Sequence, residues 1–84
     1  MNTCVVKIYS LSTCDNCRDT MNFIARSGVE FDFVDVDLLE KEERNKELSQ
    51  LKKINPKCTF PTTVIGEKTV IGFDEGKLAE ALEL

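Results

Sequence analysis

Two of the four cysteines in this chain have a spacing that suits redox chemistry. Residues 14–17 read Cys-Asp-Asn-Cys, after a strand-like apolar run and at the start of a segment with helical spacing. Two intervening residues on a first helical turn bring the sulfur atoms close enough to form and break a disulfide. Cys14 would face the unpaired N–H groups and positive dipole end of the helix, which stabilise a thiolate. Because the thiolate is the nucleophile of exchange, Cys14 is predicted to attack and Cys17 to resolve the intermediate.

Structural zinc binding and simple burial are the alternative uses of this pair. Zinc normally takes four ligands. Because the chain has no histidine, all four cysteines would have to converge on the metal, and their spacing is not a repeated Cys-x-x-Cys pattern. The missing histidine also excludes Ser-His and Cys-His catalysis. Of the other two cysteines, Cys4 is predicted to be a small buried residue and Cys58 a surface or half-buried thiol, the alternative for Cys58 being a regulatory thiol.

A proline before a predicted hairpin is the second feature with chemical meaning. Residues 59–62 read Thr-Phe-Pro-Thr. Proline is tolerated at the first residue of a strand, so the simple interpretation is a strand start. Beside a Cys-x-x-Cys pair, the sharper interpretation is a cis Phe60–Pro61 bond. The backbone of Phe60 would then pair with an extended thiol substrate by strand addition.

The elements that must position these residues follow from the spacing of apolar residues. Residues 4–9 are nearly continuously apolar and β-branched, which predicts a central strand covered on both faces. A helix follows from Cys14 and ends at Gly28 in the left-handed region. Residues 31–37 alternate as a second strand, and a charged helix over roughly residues 38–54 comes next.

The later elements are marked by capping and turn residues. Asp37 and Glu40 are predicted to cap the second helix as a pair, and the Asn-Pro at residues 55–56 ends it. Its expected buried face consists of Leu39, Leu48, Leu51 and Ile54. Residues 62–71 are predicted to form a β-hairpin with a glycine turn, and Asp74 to cap a last helix. The apolar face of that helix consists of Leu78, Ala81 and Leu82.

The order strand, helix, strand, helix, hairpin, helix (βαβαββα) predicts an α/β fold. Its first two strands are joined through a helix, so they should be parallel with a right-handed crossover. The hairpin adds antiparallel strands, which gives a four-stranded mixed sheet with three helices. The chain has 84 residues, so one domain over residues 1–84 is expected.

Composition and charge exclude several classes of function. Apolar residues make up 42% of the chain, which is ordinary for a globular protein. Eleven basic and fifteen acidic residues give a net charge of −4, which argues against nucleic acid as a partner. No apolar run approaches the roughly 18–20 residues that span a bilayer, so no membrane partner is expected. The first residues lack the basic-then-apolar pattern of a signal peptide, and we expect a cytoplasmic monomer.

The chain resembles the glutaredoxins over residues 5–82. The segments that carry the resemblance are residues 7–10, 14–17, 34–37, 59–61 and 71–74, in the family's order and spacing. The resemblance implies a thioredoxin-like fold and dithiol–disulfide exchange by the two cysteines of residues 14–17. It also implies a cis-proline at Pro61 and a glutathione groove in which Asp74 holds the γ-glutamyl end. The expected substrate-binding residues are Lys57, Thr59, Phe60, Pro61, Gly72, Phe73 and Asp74.

This sequence departs from the usual glutaredoxin pattern near the first cysteine. Leu11 stands where a lysine is usual, which removes a cation from beside the attacking thiol; Lys57 is the expected substitute, with Lys52 and Lys53 as alternatives. Asp-Asn replaces the usual Pro-Tyr between the cysteines, and Lys57 and Cys58 replace a glutamine and an arginine. An iron–sulfur cluster shared between chains is an alternative use of the site, but cluster-binding relatives usually lack the second cysteine. A non-catalytic adaptor that only binds a partner is the other alternative.

The resemblance also sets the expected partners. No bound cofactor is expected, and glutathione or another low-molecular-weight thiol would supply the electrons. Disulfide-containing proteins would be the substrates. The Gly-Phe at residues 72–73 also resembles the glutaredoxin-like electron donors to ribonucleotide reductase, which are reduced by thioredoxin reductase. The electron donor therefore stays open.

Overall fold

A computed structural model of the chain describes residues 5–83. The prediction for Cys4 lies outside these residues. The strands are β1 (Val6–Ser10), β2 (Asp32–Asp35), β3 (Thr62–Ile65) and β4 (Lys68–Ile71); the helices are α1 (Asp15–Arg26), α2 (Lys41–Ile54) and α3 (Glu75–Ala81); and a 3₁₀ turn spans Val36–Leu38. This order confirms the predicted α/β fold with four strands and three helices.

The four strands form one mixed sheet in the order β2-β1-β3-β4. β1 and β2 are parallel, and the other two pairs are antiparallel. Tyr9 of β1 pairs with Thr62 of β3, and Thr62 pairs with Ile71 of β4. The last residues of β1, β2 and β4 and the first residue of β3 therefore lie at the same edge of the sheet. The segments that follow or precede them are brought together there.

The sheet is covered on both faces, as predicted for a central β1. On one face the core consists of Val6, Ile8, Ile24, Ile65, Val70, Leu78 and Ala81, which join the sheet to α1 and α3. Alternate residues of β1 point to the other face. There the Nζ of Lys7 lies 2.9 Å from a carboxylate oxygen of Glu47 in α2. Leu51 of α2 is fully buried.

Local signals at three element ends are confirmed. Gly28 follows α1 with a φ of +78°, in the left-handed region that glycine adopts without a Cβ penalty. The hairpin turns at residues 66–67. Asp74 caps α3, with its Oδ1 accepting a hydrogen bond from the backbone N–H of Lys77 at 3.0 Å.

The predicted start and buried face of α2 are partly wrong. The helix begins at Lys41 rather than near residue 38, and its N-cap, Glu40, makes no side-chain capping bond. Asp37 is unavailable as a cap because its carboxylate binds Ser12, before α1. Leu51 is buried as predicted, and Leu39 and Leu48 are half-buried. Ile54 is 37% exposed, because it is the last residue of α2 and the buried position at this end belongs to Asn55.

Candidate active site

Cys14 occupies the N-cap of α1, the position that the sequence predicted for it. Its backbone is extended, with φ −92° and ψ 113°, and its side chain is partly exposed. The Sγ of Cys14 accepts a hydrogen bond from the backbone N–H of Cys17 at 3.2 Å. Its own N–H donates to the carbonyl of Leu11 at 3.1 Å, which closes the turn before the helix. The sulfur therefore lies at helix N–H groups that have no partner within the helix, where a thiolate is stabilised.

Cys17 lies one turn further along α1 and is fully buried. Both cysteines are free thiols. Burial raises the pKa of Cys17 to about 12, and contact with the Cys14 thiol and the negative charge of Asp35 act in the same direction. Cys17 is therefore a protonated thiol at neutral pH, behind a more accessible Cys14. This difference suits an attacking and a resolving thiol.

The loop before Cys14 is bound to the turn that follows β2. The carboxylate of Asp37 accepts hydrogen bonds from the backbone N–H of Ser12 at 2.9 Å and from its hydroxyl at 2.5 Å. These two bonds lower the pKa of Asp37 below its ordinary value of 3.8. The carboxylate is therefore ionised at neutral pH and fixes the turn that delivers Cys14 to the helix. Sequence reasoning missed this contact, because 25 residues separate the two partners.

A second carboxylate lies at the end of β2. Ser10 and Asp35 are paired in the β1–β2 register, and the hydroxyl of Ser10 donates to the Asp35 carboxylate at 2.5 Å. Ser10 is fully buried and Asp35 is half-buried. The charge of Asp35 is one cause of the high pKa of Cys17. The two residues thus form a polar pair at the same sheet edge as the buried thiol.

The peptide bond between Phe60 and Pro61 is cis, as the Thr-Phe-Pro pattern predicted. Pro61 is buried, and its carbonyl accepts a hydrogen bond from the N–H of Gly72 at 2.8 Å. Because Thr62 pairs with Tyr9, this loop lies beside the exit of β1, from which the chain runs to Cys14. The structure therefore brings Pro61 and Gly72 together at the edge where the cysteines lie.

For the other predicted binding residues, the structure gives a position but no role in binding. Phe73 is half-buried and packs against the core. Asp74 is exposed and caps α3. Lys57 and Thr59 are exposed in the segment between α2 and β3, and no described contact joins the Lys57 side chain to either cysteine. Their roles in binding stay predictions.

The segment between α2 and β3 contains a buried side chain that sequence reasoning treated only as a helix end. Asn55 is 2% exposed, and its side chain bonds to residues 57, 59 and 62. An Asn-Pro pair marks a turn in the sequence. That pattern could have located the turn. It could not have shown that the Asn55 amide reaches Thr62 in β3.

Two further observations concern other kinds of site. Within residues 5–83, no group of three or more cysteine, aspartate or glutamate side chains is arranged to hold a metal ion, and no helix there has the length and apolar character of a membrane span. A surface cleft that includes Val6, Gly28 and Phe31 lies at the opposite end of the strands from the cysteines. None of the predicted site residues line it.

The sheet order and the dithiol at the start of α1 define a redox protein of the thioredoxin-like fold. A family model described as Glutaredoxin matches residues 6–70. The chain belongs to the glutaredoxin family.

The chain is similar to proteins of known structure and to an uncharacterised relative. Methanoredoxin of Methanosarcina acetivorans is 41% identical, with a TM-score of 0.90 over 94% of this chain and 84% of that one. The glutaredoxin of Archaeoglobus fulgidus is 37% identical, with a TM-score of 0.90 over 99% and 90% of the two chains. An uncharacterised glutaredoxin-like 8.6 kDa protein from the rubredoxin operon of Clostridium pasteurianum is 27% identical over 79 residues, which are 94% of this chain and 99% of that one.

Proposed function

We propose that this protein is a dithiol thiol–disulfide oxidoreductase that reduces disulfides through Cys14 and Cys17. The observation that carries the proposal is the unequal environment of the two thiols. The sulfur of Cys14 is partly exposed and accepts a helix N–H, whereas Cys17 is buried and protonated. Membership of the glutaredoxin family agrees with this chemistry.

The reaction transfers two electrons and two protons from the dithiol to the substrate. The Cys14 thiolate attacks one sulfur of a substrate disulfide, forms a mixed disulfide with it, and releases the other sulfur as a thiolate that takes a proton. Cys17 then loses its proton to solvent and attacks the Cys14 sulfur. The second substrate thiolate leaves and is protonated, and a Cys14–Cys17 disulfide remains. Two equivalents of a small thiol, or a reductase, restore the dithiol.

The environment of Cys17 orders these two steps. Contact with the Cys14 thiol is one of the causes that raise the pKa of Cys17. Burial is the larger cause, and it keeps Cys17 protonated until the mixed disulfide has formed and Cys17 must attack. Before that stage it stays protonated and does not compete with Cys14 for the substrate.

The proposed binding groove lies along the edge that contains the cis-proline. The backbone of Phe60 pairs with an extended substrate, and Thr59, Pro61, Gly72 and Phe73 line the groove. Asp74 uses its Oδ1 to cap α3, which leaves the other oxygen for the ammonium group of a ligand. Lys57 supplies a cation for a ligand carboxylate. These roles follow from the family resemblance and from the shared sheet edge.

The proposed reductant is glutathione or another low-molecular-weight thiol, and the proposed substrates are disulfide-containing proteins. An enzyme that accepts electrons from thioredoxin reductase and passes them to ribonucleotide reductase is the second candidate. The usual lysine would attract a carboxylate-bearing thiol. Because Leu11 replaces it, both electron donors are kept as candidates.

Single-turnover reduction of 2-hydroxyethyl disulfide by pre-reduced protein tests the proposal, with intact mass as the readout. Cys14→Ser is expected to lower the rate to that of the uncatalysed reaction, because the nucleophile is gone. Cys17→Ser is expected to accumulate a mixed disulfide on Cys14, because the resolving thiol is gone. Cys58→Ser is the matched cysteine control and should react like the unaltered protein. Reduction at an unchanged rate by the Cys14→Ser variant would overturn the proposal.

A further inference from the structure

The buried Asn55 side chain joins the segment after α2 to the start of β3. Its Oδ1 accepts a hydrogen bond from the N–H of Lys57 at 3.2 Å. Its Nδ2 donates to the hydroxyl oxygens of Thr59 at 2.9 Å and Thr62 at 3.1 Å. Asn55 is only 2% exposed, so its amide has exchanged water for these three partners.

The backbone of Asn55 is fully paired as well. Its N–H donates to the carbonyl of Leu51 at 2.7 Å, and its carbonyl accepts from the N–H of Cys58 at 2.8 Å. This second bond closes a turn with Pro56 in the position that proline favours. Cys58 has a φ of +49°, in the left-handed region that non-glycine residues rarely adopt. The hydrogen bond from Cys58 to Asn55 therefore closes a turn in which Cys58 itself has an unfavourable backbone conformation.

The same bonds fix the two ends of the loop that carries Phe60 and Pro61. The hydroxyl of Thr62 accepts from Asn55 and donates to the carbonyl of Thr59 at 2.7 Å. Thr59 and Thr62 flank the cis peptide bond on both sides. Thr62 is fully buried and paired with Tyr9 of β1, so the loop is anchored against the strand that leads to Cys14.

We infer that Asn55 is a positioning residue that holds the Phe60–Pro61 backbone in the geometry needed to bind an extended disulfide substrate. This role rests on the proposed function. Asn55 makes no bond to the turn that contains Cys14. That turn is held by the bond from the Cys14 N–H to the Leu11 carbonyl and by the bond from the Cys17 N–H to the Cys14 sulfur. Its removal should therefore weaken substrate binding and leave the reactivity of Cys14 unchanged. A general loss of structure would change both.

Two variants and one control separate these outcomes. Asn55→Ala removes all three side-chain bonds. Thr62→Val keeps the side-chain shape but removes the acceptor of one Asn55 bond and the donor to the Thr59 carbonyl, so it tests the same role where Asn55→Ala fails to fold. Asn45→Ala is the matched control, because Asn45 is an exposed asparagine within α2.

The experiment measures the oxidation of pre-reduced protein as a function of glutathione disulfide concentration, by acid quench and intact mass. We expect Asn55→Ala to raise the half-saturating concentration about tenfold and Thr62→Val about threefold, with maximal rates within about twofold. Asn45→Ala should match the unaltered protein. Alkylation of Cys14 by iodoacetamide should proceed at the same rate in all four proteins.

Two results would overturn the inference. The first is an unchanged half-saturating concentration in a folded Asn55→Ala or Thr62→Val protein. The second is a fall in the alkylation rate of Cys14 that parallels the loss of binding. The proposed function itself fails if neither glutathione disulfide nor 2-hydroxyethyl disulfide oxidises Cys14 and Cys17 of the unaltered protein. In that case the positioning role is refuted with it.

Discussion

The two thiols of residues 14–17 differ because one is at the end of a helix and the other is inside the protein. Cys14 is the N-cap, so its sulfur accepts a helix N–H and stays partly exposed. Cys17 is on the side of α1 that faces the sheet, and burial is the largest cause of its raised pKa. The spacing in the sequence predicted this division of roles. It could not predict the contribution of Asp35, which lies near Cys17 only because β1 and β2 pair in parallel.

Alkylation of the reduced protein should therefore be selective over a wide pH range. A pKa of about 12 for Cys17 leaves almost no thiolate below pH 9, since a raised pKa lowers the ionised fraction at each pH. At pH 8 we expect Cys17 to react with iodoacetamide at least about a hundredfold more slowly than an ordinary cysteine. Peptide mapping measures this rate, with Cys58 as the internal comparison. Equal labelling of Cys14 and Cys17 would show that their environments do not differ as described.

At the scale of elements, the strands and helices with strong local signals agree with expectation. The sequence signals for β1, α1 and the hairpin are local: apolar periodicity within each element, and glycine or capping residues close to it in the chain. The start of α2 differs because Asp37 bonds to Ser12, which is distant in sequence. The turn after α2 likewise depends on an amide that reaches Thr62 in β3. Contacts of this kind override local capping preferences, and no local sequence pattern predicts them.

The left-handed backbone of Cys58 gives a stability prediction for this turn. A Cβ atom is disfavoured at a φ of +49°, whereas glycine adopts it freely. Cys58→Gly should therefore be more stable than Cys58→Ala by about 1 kcal/mol in urea unfolding. Ala25→Gly is the control, because Ala25 is exposed within α1, where glycine should be destabilising by about 1 kcal/mol relative to alanine. An alanine variant as stable as the glycine variant would mean that the turn does not hold residue 58 in this conformation.

At the scale of the whole molecule, the sheet topology assembles the site. Four segments distant in sequence meet at one sheet edge: the Cys14 turn, the Asp37 turn, the cis-proline loop and the residues after β4. Hydrogen bonds join them in pairs, two from Ser12 to Asp37 and one from Gly72 to Pro61. The sequence identified the cysteines and the proline because both belong to short local motifs. Asn55 and Asp37 could be found only once the strand pairing was known.

The central claim is that Cys14 and Cys17 form one reversible redox pair. Equilibration of the protein in glutathione redox buffers of graded composition, followed by acid quench and intact mass, tests it most directly. We expect a single two-electron transition, in which the protein loses two hydrogen atoms and peptide mapping finds a Cys14–Cys17 disulfide. Thiols that stay reduced across the whole series, or a disulfide that includes Cys58, would contradict the account.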